Sequence, residues 1–230
     1  MTNIHKTSLA KTLDSVSESL FFRKPIHPSE RREVAAWIAE RYGKPGSYAN
    51  MFAPMPQDFK NGIKLFTGEE ITSRVAVAHI LGEDCCRILP LLETHDAKIE
   101  KSLHLAIQSL TDRLNYSEER SYGIGMYCCG RCSTAYWRNL VVNHLPRWEE
   151  RLREGMKALK KLRVGDSKWK RFPFYATCLA LVEIGEEIAG DELRYCAPFW
   201  EKNLKKIGSS KGTHSKRRFA VGERLLEMCR

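Results

Sequence analysis

The sequence has no long apolar run of the kind that crosses a membrane. The longest mainly apolar stretch, residues 172–182, is about half as long as the ~20 residues that a membrane-spanning helix needs. The N-terminal segment MTNIHKTSLAKTLDS also lacks the apolar core of a secretory signal. We therefore expect a cytoplasmic protein that has no membrane partner.

The cysteines do not indicate a disulfide-stapled fold. The chain has eight cysteines, but four of them form two adjacent pairs, at 85–86 and at 128–129. A chain of 230 residues can bury a substantial hydrophobic core and does not depend on cross-links. We expect the thiols to be reduced.

The familiar catalytic and nucleotide-binding motifs are missing. The sequence contains no GxSxG, no HExxH and no kinase signature. The segments GIGMYCCG (123–130) and GSSKGTHSK (208–216) match neither the dinucleotide fingerprint nor the P-loop. We therefore assign no catalytic residue, expect no cofactor, and leave open at this stage whether the protein is an enzyme.

Positive charge is abundant and unevenly distributed. The net charge is +10, and residues 147–171 carry ten Lys or Arg against four acids. Residues 201–218 carry seven Lys or Arg against one acid. These two segments sum to +12, so the rest of the chain is near −2. A concentrated basic region is typical of a protein that binds a polyanion.

Apolar residues recur three and four positions apart along most of the chain, which predicts α-helices. The clearest case is 96–115, where Ile99, Leu110 and Leu114 fall on one face. No segment shows sustained period-2 alternation with turn dipeptides. The sequence thus predicts an all-α fold with a long loop rich in proline and aromatic residues at 43–66. The predicted helices lie near 5–20, 29–42, 69–92, 96–115, 118–145 with a break around 123–130, 147–163, 173–187, 190–206 and 216–229.

From residue 69 onward the predicted helices are paired. Three segments, AVAHILGEDCCRIL, AYWRNLVVNHLPRW and ALVEIGEEIAGDELRY, are comparable second helices of such pairs. Over about 69–206 the chain therefore resembles HEAT-like helical-repeat proteins, and the resemblance is one of architecture. It implies antiparallel helical hairpins stacked in an α-α superhelix, and a closed toroid of hairpins would give the same pattern.

The length and the continuous helical pattern predict a single all-helical domain over residues 1–230. Within it we distinguish the N-terminal helices with the long loop (1–66), the array of helical hairpins (69–206), and a basic linker with the C-terminal helix (207–230).

The stretch MYCCGRCSTAYWR (126–138) combines a cysteine cluster with a helical pattern. Cys129 and Cys132 have the CxxC spacing of zinc ribbons and of thiol redox sites. A zinc ribbon needs a second CxxC or a histidine pair, and no βαβ pattern surrounds the motif. We interpret these cysteines as small apolar residues of a buried helix, with metal or redox chemistry as the alternative.

Two arginines of the same helix need an anionic partner if they are buried. Arg131 and Arg138 are seven positions apart and share a face. We favour an internal ion pair with Glu118, Glu119 or Glu83, and a phosphate or carboxylate ligand held bidentately is the alternative. In the second case the chain would have an enzyme-like pocket lined by Tyr127, Arg131, Cys132, Tyr136 and Arg138.

Two further groups have some of the residue types of a metal site. His79 and Cys86 share a helix face, but two ligands on an apolar stripe are typical of a core. Glu183, Glu187 and Asp191 are spaced by four, without the ExxH of a di-metal bundle, so we interpret them as a solvated helix face. We predict no metal at either group.

The segment KWKRFPFY (168–175) alternates basic and aromatic residues, as binders of single strands and phosphate backbones do. The same segment would also serve as a loop whose phenylalanines anchor the next helix. We predict a binding protein for nucleic acid or another polyanion, with a small-molecule enzyme or an adaptor for an acidic protein partner as alternatives. The polyanion-binding residues that we predict are Lys168, Trp169, Lys170, Arg171, Lys202, Lys205, Lys206, Lys216, Arg217 and Arg218.

The absence of a complete ligand set predicts that the chain carries no structural metal. Protein purified without a chelator should contain well below one equivalent of zinc or iron by elemental analysis. One equivalent of either metal would contradict the interpretation of Cys129 and Cys132 as helix residues without a ligand role.

Overall fold

The computed structural model describes residues 4–230, except the side chains of Ser121 and Tyr122. Over these residues the protein is all-α, as the sequence predicts, with one short hairpin of two-residue strands. None of the described helices is long and apolar enough to cross a membrane. The elements are α1 Leu9–Phe21, α2 Pro28–Ala39, α3 Pro56–Asn61, β1 Ile63–Lys64, β2 Glu70–Ile71, α4 Arg74–Leu91, α5 Ala97–Ser117, a π-helical turn Glu118–Tyr122, α6 Gly130–Asn143, α7 Trp148–Lys160, α8 Phe174–Ile184, α9 Glu186–Ser209 and α10 Thr213–Met228.

The chain divides into two compact units. The first comprises Glu70–Ser117 and the chain up to Leu65, and the second comprises Phe66–Glu69 and Glu118–Arg230. This division follows none of the three subdivisions expected from the sequence. The single domain over 1–230, and the superhelical or toroidal arrangement of hairpins, stay predictions.

In the first unit α4 is the central helix and packs against α1, α2, α3 and α5. Its apolar side chains Val77, Ile80 and Ile88 are fully or almost fully buried. His79 and Cys86 are also fully buried, which agrees with their interpretation as core residues. Burying such side chains is the main favourable contribution to a fold of this size.

A buried carboxylate organises the N-terminal part of this unit. Asp58, 2% exposed, accepts hydrogen bonds from Ser8 Oγ at 2.6 Å and from the backbone N–H of Leu9 at 3.0 Å. It also accepts one from the N–H of Met55 at 2.9 Å. The same side chain therefore satisfies free N–H groups at the beginnings of both α1 and α3.

Two predictions for this unit are wrong. The predicted irregular loop 43–66 contains α3 and β1. The predicted helix start at residue 69 is a strand instead, because Glu70 and Ile71 pair with Lys64 and Ile63, and α4 begins only at Arg74. Thr67 and Glu70 have the spacing of a helix cap, but Thr67 Oγ donates to the carboxylate of Glu69 instead.

In the second unit α8 is the central helix. It packs against α6, α9 and α10, and its residues from Ala176 to Leu181 are buried around the whole helix. This is typical of a helix with an apolar residue at almost every position. The predicted break between 187 and 190 lies instead at Gly185, whose φ of 92° belongs to the left-handed region that glycine adopts without strain.

The beginning of the second unit is attached to α7 by a buried arginine. Arg151, fully buried, donates from Nε to Glu118 Oε1 at 2.8 Å and from Nη2 to Oε2 at 3.1 Å. Its Nη1 donates to the carbonyl of Pro146 at 2.8 Å. Gly125, with a φ of 82°, packs so closely on the backbone of Arg151 that a side chain at this position would overlap it. The predicted break at 123–130 is therefore confirmed as an ordered connection.

Removing this guanidinium should destabilise the second unit strongly. Arg151→Met leaves the carboxylate of Glu118, which is 7% exposed, without its main cation, and we expect a loss of about 3–5 kcal/mol in the free energy of unfolding. The matched control is Arg153→Met, which removes an exposed pair with Glu187 and should change stability by about 0.5 kcal/mol or less. Urea denaturation followed by tryptophan fluorescence measures both, and equal stability of the two variants would contradict this role of Arg151.

Candidate functional site

The helix that carries the cysteine stretch is covered on most sides. Cys132, Tyr136, Asn139, Trp137 and Leu140 of α6 are all buried, in agreement with the helix that the sequence predicts. Trp137 stacks on Phe172 at 5.5 Å between ring centroids and donates from Nε1 to the carbonyl of Gly125 at 2.7 Å. These contacts fix the rotation of α6 within the second unit.

Arg138 has the internal carboxylate partner that the sequence analysis favoured, at a different position. Its Nε and Nη2 donate to the two carboxylate oxygens of Glu183 at 2.7 and 2.9 Å. The side chain of Arg138 is 11% exposed and that of Glu183 is 25% exposed. Glu183, which the sequence analysis did not name as a partner of Arg138, is in reach because α6 packs against α8.

The residues proposed to line a pocket are in contrasting environments. Tyr127 and Tyr136 are buried with ring centroids 6.0 Å apart, and Cys132 is 1% exposed. Arg131 is exposed, so of the two arginines only Arg138 is largely buried and needs an anionic partner. Arg131 lies in the first turn of α6, where the face that is covered further along the helix is open to solvent.

Two of the three clustered cysteines are exposed, which corrects their interpretation as buried apolar residues. Cys128 and Cys129 are exposed, and Cys132 is buried. The difference follows from the break at 123–130: α6 begins only at Gly130, so Cys128 and Cys129 precede the packed part of the helix.

A cleft of about 350 Å³ lies between α7 and α9, but its charge is balanced. Its lining includes four cations (Arg153, Lys157, Lys160 and Arg194) and four acids (Glu186, Glu187, Asp191 and Glu192). Lys160 donates to Asp191 at 2.9 Å and thereby lowers the pKa of that carboxyl group. The cleft therefore does not present a basic surface.

Glu183, Glu187 and Asp191 do not form one acidic face. Gly185 separates α8 from α9 between the first two residues. The side chains of Glu187 and Asp191 are 87% and 64% exposed, as expected of a solvated helix face, whereas Glu183 is half-buried against Arg138.

The segment 168–175 combines exposed cations with a buried tryptophan. Trp169 is 4% exposed, and its Nε1 donates to Glu192 Oε2 at 2.7 Å. The same carboxylate accepts two hydrogen bonds from Arg163, at 2.7 and 3.1 Å. Trp169 is therefore a structural residue, and its predicted role in stacking with a ligand is wrong. Lys168, Lys170 and Arg171 are exposed.

The two basic segments meet on a cluster of partly exposed aromatic rings. Lys168 Nζ lies 5.9 Å from the ring centroid of Phe199, and the guanidinium carbon of Arg218 lies 4.1 Å from that of Tyr175. The two rings are 6.3 Å apart between centroids. Cations from residues 147–171 and from residues 201–218 are thus brought together by α8 and α9.

The helical spacing extends this surface along α9. Phe199, Lys202 and Lys206 recur at intervals of three and four, so they lie on one stripe of the helix. Across the described residues, no acid forms an ion pair with these two lysines, with Lys205 or with Lys216. By contrast, Arg147, Arg153, Lys157, Lys160, Arg163 and Lys168 are all paired with acids.

One predicted cation of this surface is buried. Arg217 is 2% exposed, donates to the carbonyl of Phe66 at 3.1 Å and stacks on the ring of that residue at 4.3 Å. It supports the beginning of α10 and is not accessible to a ligand, which corrects its assignment. Arg218 is half-buried and donates from Nε to the carbonyl of Thr67 at 2.7 Å. We define the basic surface as Lys168, Lys170, Arg171, Lys202, Lys205, Lys206, Lys216 and Arg218.

Comparison with known proteins adds no family to these observations. No protein-family model, no curated protein and no solved structure matches the chain.

The pairing of Arg138 with Glu183 predicts that this arginine stabilises the fold. Arg138→Leu removes two hydrogen bonds to a charged group and should lower the free energy of unfolding by about 1.5–3 kcal/mol. Sulfate, compared with chloride at constant ionic strength, should then shift the melting temperature of wild type and variant equally. A variant of unchanged or higher stability, together with a sulfate effect confined to the wild type, would show that Arg138 binds an anion instead.

Proposed function

We propose that the second unit binds nucleic acid through the basic surface, as a polyanion-binding protein of the cytoplasm. The observation that supports this function best is the meeting of the two basic segments on Tyr175 and Phe199. Lysine and arginine side chains neutralise phosphates, and partly exposed rings beside them offer planes on which unpaired bases stack.

The arrangement of the cations supports binding to an extended ligand. The unpaired lysines Lys202, Lys205 and Lys206 follow α9 over about two turns beyond Phe199. Since an α-helix rises about 1.5 Å per residue, Phe199 and Lys206 are roughly 10 Å apart along the axis, a distance comparable to that between a few successive phosphates. A single small anion would use only part of this surface.

Few acids lie near the surface in the sequence. Glu201 is the only acid between residues 201 and 218. Asp166 lies 3.3 Å from Lys168 Nζ in an exposed pair, which a phosphate can displace at small cost. Glu69 accepts a hydrogen bond from the N–H of Ala176 at 2.8 Å and caps α8. The surface therefore keeps a net positive potential.

Replacing the lysines of α9 should weaken binding and flatten its salt dependence. We expect the triple variant Lys202→Ala, Lys205→Ala, Lys206→Ala to reduce the slope of log affinity against log salt by about 2 for single-stranded DNA, at ~0.7 per lost phosphate contact. Fluorescence anisotropy with a labelled single-stranded oligonucleotide at several salt concentrations measures the affinity and the slope.

The matched control removes the same charge from the first unit. Lys44, Lys60 and Lys101 are exposed, and their replacement by Ala changes the net charge equally. We expect the control to keep the wild-type slope. Equal losses of affinity and slope in both variants would show that only the overall charge acts. If the wild type binds no DNA below physiological salt, nucleic acid is excluded as the ligand.

A further inference from the structure

The three thiols at the beginning of α6 differ in exposure and in their electrostatic surroundings. The sulfur atoms of Cys128 and Cys132 lie within 4.8 Å of each other. Cys129 is the N-cap residue of α6, and its thiol is exposed, whereas Cys132 is in the first turn and 1% exposed. Cys128 and Cys129 are thus open to a reactant, and Cys132 is sheltered beside them.

The backbone around the cluster is fixed by its own contacts. The N–H of Tyr127 donates to Ser133 Oγ at 2.9 Å, and the N–H of Ser133 donates to the carbonyl of Cys129 at 2.9 Å. A side chain at Gly130 would overlap the carbonyl of Arg171, so the helix begins in direct contact with the segment 171–172. The cysteines are therefore presented by an ordered turn.

The spacing of Cys129 and Cys132 suits a disulfide. Residues three apart along a helix have Cα atoms about 5 Å apart, and disulfides form at Cα separations of ~4.4–6.8 Å. The adjacent pair at 128–129 would need a strained ring of two neighbouring residues. Closure between Cys129 and Cys132 leaves the helix intact.

The surroundings of Cys129 favour its thiolate. No conventional side-chain hydrogen bond caps α6. The neighbouring thiols of Cys128 and Cys132 nevertheless lower the pKa of Cys129 far below its ordinary value, and the backbone N–H groups of Cys132 and Arg131 add to this effect. The pKa of Cys132 is raised, chiefly by its interactions with Cys128 and Cys129 and also by burial. Cys129 is the group that gains from the positive end of the helix dipole.

We propose that Cys129 and Cys132 form a thiol–disulfide exchange site for low-molecular-weight disulfides, with Cys129 as the nucleophile and Cys132 as the resolving thiol. This site is independent of the basic surface. Its surroundings are all-α, unlike those of a thioredoxin-like enzyme. The chemistry does not depend on that fold, because it needs only an exposed thiolate at a helix N-terminus and a second thiol within reach.

The exchange is balanced in two steps. The Cys129 thiolate attacks one sulfur of the disulfide RS–SR, so that a Cys129–S–SR bond forms, the S–S bond breaks and RS⁻ leaves. Cys132 then attacks the Cys129 sulfur and expels the second RS⁻. The two leaving thiolates become thiols by taking the thiol proton of Cys132 and one proton from water. The chain loses two electrons, and RS–SR is reduced to two thiols.

A stabilised thiolate also sets the direction of the equilibrium. Interactions that favour the reduced form make the corresponding disulfide more oxidising. The pair should therefore remain a dithiol at a cytosolic glutathione poise, and it should become a disulfide only when oxidised glutathione accumulates. This behaviour is that of a sensor of the thiol–disulfide balance.

Reaction of the full chain with oxidised glutathione tests the proposal. Peptide mapping by mass spectrometry should find a Cys129–Cys132 disulfide in the wild type and in Cys128→Ser. Cys132→Ser should stop at one glutathione attached to Cys129, and Cys129→Ser should form neither product. Serine is a good N-cap residue, so the last variant should keep α6 intact. A disulfide that includes Cys128, or equal glutathione addition at Cys128 and Cys129, would refute the assignment.

Alkylation of the unmodified wild type gives a second test that no folding defect can affect. The iodoacetamide rate at Cys129 should fall much less between pH 7 and pH 5 than that of an ordinary thiol, which falls about 100-fold with its thiolate fraction. The buried thiols of Cys178 and Cys196, 3.9 Å apart, are the internal control and should stay unmodified. A 100-fold fall at Cys129, or one equivalent of bound zinc that blocks alkylation, would overturn the proposal.

Discussion

The guanidinium of Arg151, which no solvent reaches, connects the beginning of the second unit to α7. It bonds to Glu118 at one end of the segment 118–146 and to the carbonyl of Pro146 at the other. Gly125 packs closely against the backbone of the same residue, and the Gly125 carbonyl accepts a hydrogen bond from Trp137 Nε1. Since this segment contains the cysteine turn and α6, the position of both depends on one buried ion pair and one glycine.

The basic surface depends on the core in a similar way. Phe174 stacks on Trp200 at 5.8 Å and contacts Phe199 at 4.3 Å between ring centroids. The rings that contact Lys168 and Arg218 therefore belong to a cluster that continues into the buried interior. Arg218 keeps a defined position on its ring without an acidic partner among the described residues, so its charge stays available to a ligand. Lys168 has an exposed pair with Asp166 in addition to its ring.

Local patterns in the sequence predicted the position of a helix such as α5 well. They could not identify side-chain partners that lie far apart in the sequence. The stripe of Ile99, Leu110 and Leu114 predicted α5 almost to its ends, because a helix repeats its buried face within a few residues. Trp169 was assigned to the surface because its partner, Glu192, lies 23 residues away. Arg138 was expected to need an internal carboxylate, but Glu183 is 45 residues away on another helix.

The same limit explains the errors at the strands and at the cysteines. Thr67 and Glu70 have the spacing of a helix cap, and only the pairing of Ile63 with Ile71 shows that the chain is extended there. The exposure of Cys128 and Cys129 depends on where α6 begins. That start is set by the contact of Gly130 with residues 171 and 172, which no local pattern contains.

The tryptophans are distributed unequally over the chain, with a spectroscopic consequence. Of the five indole rings, four belong to the second unit, and those of Trp137, Trp169 and Trp200 are buried there. Trp37 is the one indole of the first unit. Intrinsic emission therefore reports chiefly on the second unit, while circular dichroism reports on helices of both. Where the two optical signals separate during unfolding, the difference measures how independently the units melt.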